Sequence, residues 1–390
     1  MKLKSRPEDF EVEELAEFPL RDGPFAVYLL TKQSLGTPEA VTAIQQRWKL
    51  SRRQISYGGL KDKHAVTRQW LTIHRGPRRN LEQTHFTLVY QGQADRAFTP
   101  QDIVGNRFAI AMRGLAPQAA QRVVAEAALV QRDGVPNYFD DQRFGSLGQS
   151  EEFIARAWCQ GDYERTLWLA LADPNVHDRP DDREEKKLLR ERWGKWDECK
   201  AALPKSSRRS IVTFLCDHPT DFRRAVALVR QDLRSLYLAA YQSHLWNQIL
   251  AAAIGDLVPA QQRFNVPLET ATVPFFHELN DDARARLHSL MLPLPSARLH
   301  FAEDDPLRAL YERVLQSKGL ELRELRVKYP RDSFFSKGDR SAVVVPGGLT
   351  AAVAKDDLHA GRSCVTLRFT LSRGAYATIV VKRLTAHQEP

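Results

Sequence analysis

The pattern that most restricts this fold is a strand signature that stops and later resumes. Val365, Leu367, Phe369 and Leu371 alternate with Thr366, Arg368 and Thr370. That period of two belongs to a strand with one face buried and the other in water. The first 135 residues read in a similar way. Phe10 and Val12 alternate with polar neighbours, FAVYLL at 25–30 is a strand run, and further runs lie at Trp70–His74, Phe86–Tyr90 and Phe108–Met112. Two helices are expected among them. Thr37-Pro38 reads as an N-cap followed by proline at the first helical position, opening a helix to about Trp48. The alanine-rich run from Ala116 closes on Gly134 as its C-cap.

Between Glu151 and Lys318 the period changes. Leu233, Leu236, Tyr237, Ala240, Tyr241 and Leu245 recur at three and four residues, one buried helix face. DREEKKLLRERW at 182–193 mixes charges as a solvated helix does, and Asp305-Pro306 starts another helix that ends near Gly319. After Val343 the strand pattern returns, and AYATIVVKRL at 375–384 reads as a further strand. A strand-rich, helix-rich, strand-rich order is most simply an α+β fold, a discontinuous domain carrying a mostly helical insertion.

Charge narrows the partners. The chain of 390 residues carries 57 Lys and Arg against 48 Asp and Glu, a net +9, which favours anionic ligands, nucleic acid first. From Arg47 to Arg79 ten residues are Lys or Arg, and the one acid is Asp62. No run approaches the roughly 20 apolar residues of a membrane span, and MKLKSRPEDFEVEE lacks the apolar core of a signal peptide, so a cytoplasmic location is expected. Cys159, Cys199, Cys216 and Cys364 form no CxxC pair and no metal-ligand spacing with histidine, so free thiols and no metal are expected.

Chemistry concentrates in Tyr57–Trp70, YGGLKDKHAVTRQW. Two glycines allow a tight turn or the close approach of a ligand. Lys61 and Lys63 flank Asp62 and favour its ionised form. A carboxylate set in a basic surface repels phosphate, so it makes sense there if it performs a step itself, as nucleophile or base. It can also cap a turn or pair with its lysines, and spacing alone favours that structural reading. The fingerprints of phosphate loops, dinucleotide folds, zinc deaminases and serine hydrolases are absent.

The GGLKDKHAVTRQ stretch closely resembles the G-x-K-D-x-x-A-x-T-x-Q segment of the TruD family of pseudouridine synthases. Four other segments resemble the family in the same order: RPEDFEVEE at 6–14, GNRF at 105–108, VPNYFDDQRFG at 135–145 and RGAYAT at 373–378. Five ordered segments are far more specific than any one.

The resemblance implies a catalytic pseudouridine-synthase domain over 1–137 and 346–390, with a mixed or antiparallel sheet. It also implies an inserted, mostly helical α/β domain over 138–345. It implies isomerisation of a tRNA uridine, with position 13 the expected target, and no cofactor. The N1–C1′ bond breaks, the base turns, and C5 joins C1′. Asp62 falls on the catalytic aspartate, acting on the ribose by attack at C1′ or removal of a 2′ proton. Phe10, Asn106, Phe108 and Tyr376 fall on positions lining the uridine pocket; Tyr376 stands where phenylalanine is common. A flipped base is held by aromatic stacking and edge hydrogen bonds, which suits these types. Lys4 falls on a basic residue that pairs with the aspartate. Lys61, Lys63, Gln69, Arg52, Arg53 and Arg143 are expected as support or RNA contacts, and Arg143 could instead fix a buried turn. A monomer without an obligate protein partner is the family expectation. The competing reading is an RNA-binding or chaperone protein on the same fold without catalysis.

Overall fold

The computed structural model describes residues 1–386. The last four residues of the expected catalytic domain, 387–390, lie outside the described residues. The chain forms two compact units, one of Met1–Val135 with Val344–Pro390 and one of Pro136–Val343. The crossings fall two residues before the expected 137/138 and 345/346.

The first unit is built on a nine-stranded mixed sheet. Its strands are β1 (Phe10–Ala16), β2 (Phe25–Gln33), β3 (Ile55–Tyr57), β4 (Val66–His74), β5 (Leu81–Gln83), β6 (Phe86–Ala94), β7 (Ile103–Leu115), β8 (Gly347–Lys355) and β9 (Ser363–Ser372). The order is β8-β9-β7-β1-β4-β2-β6-β5, with β3 added to β4. β1 and β4 run parallel, and the other pairs are antiparallel. The alternation seen in 365–371 places Val365, Leu367, Phe369 and Leu371 in the core. β9 lies between β8 and β7, so strands separated by the whole second unit in sequence are neighbours in space.

Three helices complete this unit: α1 (Thr37–Trp48), α2 (Pro117–Asp133) and α3 (Ala377–Thr385). α1 buries Ala40, Val41 and Ile44 against Ala26, Tyr28, Leu30, Leu71 and Ile73 of β2 and β4. Its N-cap is Gly36 rather than Thr37, which is already the first helical residue. The Thr37 hydroxyl is thereby released from capping and is used elsewhere. α2 ends on Gly134 at φ 75, the left-handed backbone that favours glycine.

The run 375–384 is not a strand. It forms α3, which buries Ala377, Ile379, Val380, Val381 and Leu384 and packs on α2. A short apolar run rich in β-branched residues has no period that separates a buried helix from a buried strand, and here packing decides.

The second unit is mostly helical. Its longest helix, Gln231–Leu257, carries Leu238, Tyr241 and Leu245 into a core with Trp158, Leu167, Trp196, Ile211 and Leu215. The sequence pattern did not anticipate the hairpin of Arg263–Leu268 with Ala271–Phe276. Its strands are six residues each and contain prolines that interrupt alternation. No helix among the described residues is long and apolar enough to cross a membrane.

Candidate active site around Asp62

The pleat of β1 sends Phe10, Val12 and Glu14 to one face of the sheet. Register pairs them with Ile110, Phe108 and Asn106 of β7, so all six side chains share that face. β4 begins beside Glu11. The loop that precedes it, residues 58–65, therefore arrives next to the start of β1 and carries Asp62. The amino-terminal segment is tied down by paired hydrogen bonds between Lys2 and Arg113, Lys2 N to Arg113 O at 2.8 Å and Arg113 N to Lys2 O at 2.9 Å. This brings Lys4, whose backbone is left-handed at φ 55, over the same place.

Lys4 Nζ lies 2.6 Å from Asp62 Oδ2 and 4.2 Å from the centre of the Phe10 ring. Both partners of the ion pair are partly open to solvent, so the carboxylate is reachable. Lys61 turns away from Asp62. Its ammonium is 2.9 Å from Glu14 Oε2 and donates to Asn106 Oδ1 at 2.7 Å. Glu14 is buried and its other oxygen accepts from the Trp70 N–H at 3.0 Å. An ammonium only donates, so Asn106 must turn its carbonyl oxygen to Lys61 and its NH2 the other way.

The structure thus brings together Asp62, Lys4, Phe10, Lys61 and Asn106. Phe108 is 7% exposed; Phe369 stacks on it at 5.4 Å and Phe10 meets it edge-on at 6.4 Å. Phe10 is 4% exposed, so its ring and that of Phe108 pack side by side on the sheet face and both are largely covered. Tyr376 is half-buried at the start of α3. It follows the turn where Arg373 N donates to Val104 O at 3.2 Å, at the end of β7 that holds Asn106. Lys63 is exposed and Gln69 fully buried. Arg52 and Arg53 are exposed; Arg52 donates to Ile55 O at 2.7 Å and to the Tyr57 hydroxyl at 3.0 Å. Arg143 belongs to the second unit, where Nε donates to Ser243 Oγ at 3.1 Å and the guanidinium lies 5.5 Å from the Phe139 ring. These contacts tie the turn at Asp141–Phe144 to the long helix Gln231–Leu257.

Sequence reasoning missed Glu14 and Lys32. Glu14 was one acid among several in PEDFEVEE; only the register of β1 against β7 selects it. Lys32 lies near the end of a strand whose alternation marks it as inward-facing, and a lysine at an inward position was the available signal. It is 1% exposed. Burial pushes its ammonium down to about 8, with Asp62 and Glu39 acting upward and Lys61 downward.

A cleft of about 430 Å³ opens among Glu13, Arg68, Arg107 and Arg368. Glu13 and Arg107 alternate with the site residues along β1 and β7, and register sets Arg68 beside Glu13 and Arg368 beside Ala109, so the pleat carries all four to the other face. Among the described residues no three His, Cys, Asp or Glu side chains gather as a metal site.

The family model of tRNA pseudouridine synthase D (TruD) matches residues 1–384. The chain belongs to the TruD family. Family membership makes it a pseudouridine synthase, an isomerase. Among TruD relatives, Probable tRNA pseudouridine synthase D 1 of Methanococcus maripaludis is 27% identical over 98% of this chain and 99% of its own. Probable tRNA pseudouridine synthase D of Methanopyrus kandleri is 30% identical over 93% of this chain and 86% of its own. The crystal structure of the TruD protein from Methanosarcina mazei superimposes with a TM-score of 0.73 at 22% identity, over 98% of this chain and 93% of that one. This TruD chain therefore has the α+β fold of that structure.

Proposed function

We propose that this TruD chain isomerises uridine to pseudouridine in tRNA, at uridine 13, with Asp62 as the reacting carboxylate and no cofactor. The observation that carries the reading is the placement of Asp62. Its carboxylate is partly open and held by Lys4, whose ammonium also lies over the Phe10 ring, while the adjacent Lys61 binds Asn106. The uridine leaves its stack to reach this carboxylate. Asp62 acts on the ribose, at C1′ or on the 2′ proton. The N1–C1′ bond breaks, the base turns, C5 joins C1′, the C5 hydrogen leaves to solvent and N1 gains a proton. Asn106 NH2 donates to a uracil carbonyl, Phe10 and Phe108 support the ring side by side, and Tyr376 closes the far side. Met1–Val135 with Val344–Pro390 form the catalytic domain, and Pro136–Val343 form the insertion. The protein works as a cytoplasmic monomer.

Release of tritium from tRNA transcripts labelled at uridine C5 tests this, with wild type and Asp62→Asn and nothing added. Release by wild type alone, mapped to uridine 13, supports the reading. Equal release by Asp62→Asn removes Asp62 from the chemistry. Absence of release with retained RNA binding would favour a binding protein on this fold.

A further inference from the structure

The loop that carries Asp62 is held from beneath by three buried side chains from three elements. Lys32 of β2 is 1% exposed, Thr37 of α1 is 1% exposed, and Gln69 of β4 is 0% exposed. Gln69 Nε2 donates to Gly59 O at 3.2 Å. Thr37 Oγ1 accepts from Lys61 N at 3.0 Å and donates to Gln69 Oε1 at 2.8 Å. Lys32 Nζ donates to Asp62 O at 2.8 Å, Lys61 O at 3.3 Å and Leu35 O at 2.7 Å.

An ammonium has three protons, and Lys32 uses them on three backbone carbonyls. Burying that charge is unfavourable, and a methionine of similar length would fill the same space without it. What the ammonium adds is a grip on carbonyls that a loop without regular structure cannot satisfy by itself. One of them belongs to Asp62. Fixing the carbonyl and the preceding peptide fixes the Cα from which the carboxylate projects, and catalytic groups need placement within roughly 0.5 Å.

We propose that Lys32, with Thr37 and Gln69, is a positioning residue for Asp62, holding the backbone of Gly59–Asp62 so that the carboxylate meets the ribose. This rests on the reading of Asp62 as the reacting group.

The test is steady-state tritium release from C5-labelled tRNA transcript, together with the Kd of the same transcript, for the full chain. The variants are Lys32→Met, Thr37→Val and Asp62→Asn. Lys32→Met is expected to lower kcat about 100-fold and Thr37→Val about 10-fold, as misplacements of an ångström or less do. The Kd should stay near wild type in both, and Asp62→Asn should release nothing. A folded Lys32→Met with wild-type kcat overturns the proposal, and so does a raised KM at unchanged kcat. If Lys32→Met does not fold, Thr37→Val decides: wild-type kcat overturns the proposal and a lowered kcat supports it. Turnover by Asp62→Asn instead overturns the reading of Asp62 itself, and the proposal falls with it.

Discussion

Lys4 Nζ stands 2.6 Å from Asp62 Oδ2 although 58 positions separate the two in sequence. The contact is made by Lys2, which hydrogen-bonds to Arg113 at the far end of β7, and by the loop ahead of β4. An ion pair this open to water adds only about 0–1 kcal/mol to stability. Its effect is on the direction of the carboxylate.

Lys4→Met is therefore expected to separate activity from stability. Unfolding free energy should change by less than about 1 kcal/mol, while turnover falls at least about tenfold because the carboxylate loses its orientation. Urea unfolding and tritium release on one preparation check this. Equal losses in both would make Lys4 a stabilising residue only.

Lys32 makes stability and pH move together in an unusual sense. Its folded value of about 8 lies below its ordinary 10.5. Below pH 8 both states hold the proton and the native state bears the full cost of the buried charge. Between 8 and 10.5 the native state has released the proton and the unfolded chain has not, so native stability rises with pH. At about 1.4 kcal/mol per pH unit, wild type should gain up to roughly 3 kcal/mol on Lys32→Met between pH 7.5 and 10.5. Turnover should fall over the same range as the grip on the Asp62 carbonyl weakens. Parallel stability curves for the two proteins would exclude a buried ammonium at this position.

His244 gives the second unit an acid limit. Burial, with Lys318 and Arg156 acting the same way, lowers it to about 4 from 6.5. Nδ1 is buried without a partner, and the ring lies 4.7 Å from that of Phe153. Its folded value is depressed, so the imidazole is neutral in the native state. The unfolded chain takes up the proton first, and stability is lost as pH falls from 6.5 towards 4, on the order of 2 kcal/mol. His244→Phe should remove that loss. Urea titrations at pH 7 and 4.5 measure it, and an unchanged pH slope in the variant would place the acid sensitivity elsewhere.

Arg52 and Arg53 are exposed, and Arg52 reaches the Tyr57 hydroxyl at 3.0 Å. Replacing both by alanine should weaken tRNA binding and make the plot of log K against log salt shallower by about 1 to 2. Filter binding at several salt concentrations reads this directly. An unaltered slope removes the pair from the phosphate footprint.

Local chemistry in the sequence was informative wherever a segment is decided locally. The alternation in 365–371 became β9, Gly134 ended α2, and Asp305 accepts from Leu307 N at the head of the helix Pro306–Gln316. The reading failed where tertiary packing chooses. AYATIVVKRL is buried along α2 as a helix although its β-branched residues suit a strand. Asp62 stood out because it was the one acid in a basic stretch. Glu14, Lys32 and Thr37 did not, because their meaning lies in hydrogen bonds to residues 24 to 56 positions away. Lys61 shows the same limit. As a neighbour of Asp62 in sequence it was expected to act on that carboxylate, yet it reaches across the sheet to Glu14 and Asn106.

Strand β7 acquires its second neighbour late. It is complete at Leu115, but β9, which covers its outer edge, ends at Ser372. A ribosome adding roughly 5–20 residues per second leaves that edge open for on the order of ten to fifty seconds. For that interval about every second residue of this thirteen-residue strand presents an unpaired N–H and C=O on that edge, the template on which foreign strands add. The second unit, finished at Val343, is synthesised entirely within the same interval. Nascent chains arrested between Leu115 and Ser372 are therefore the species expected to need a chaperone, and release of the β8–β9 hairpin from the exit tunnel is the event that ends the need.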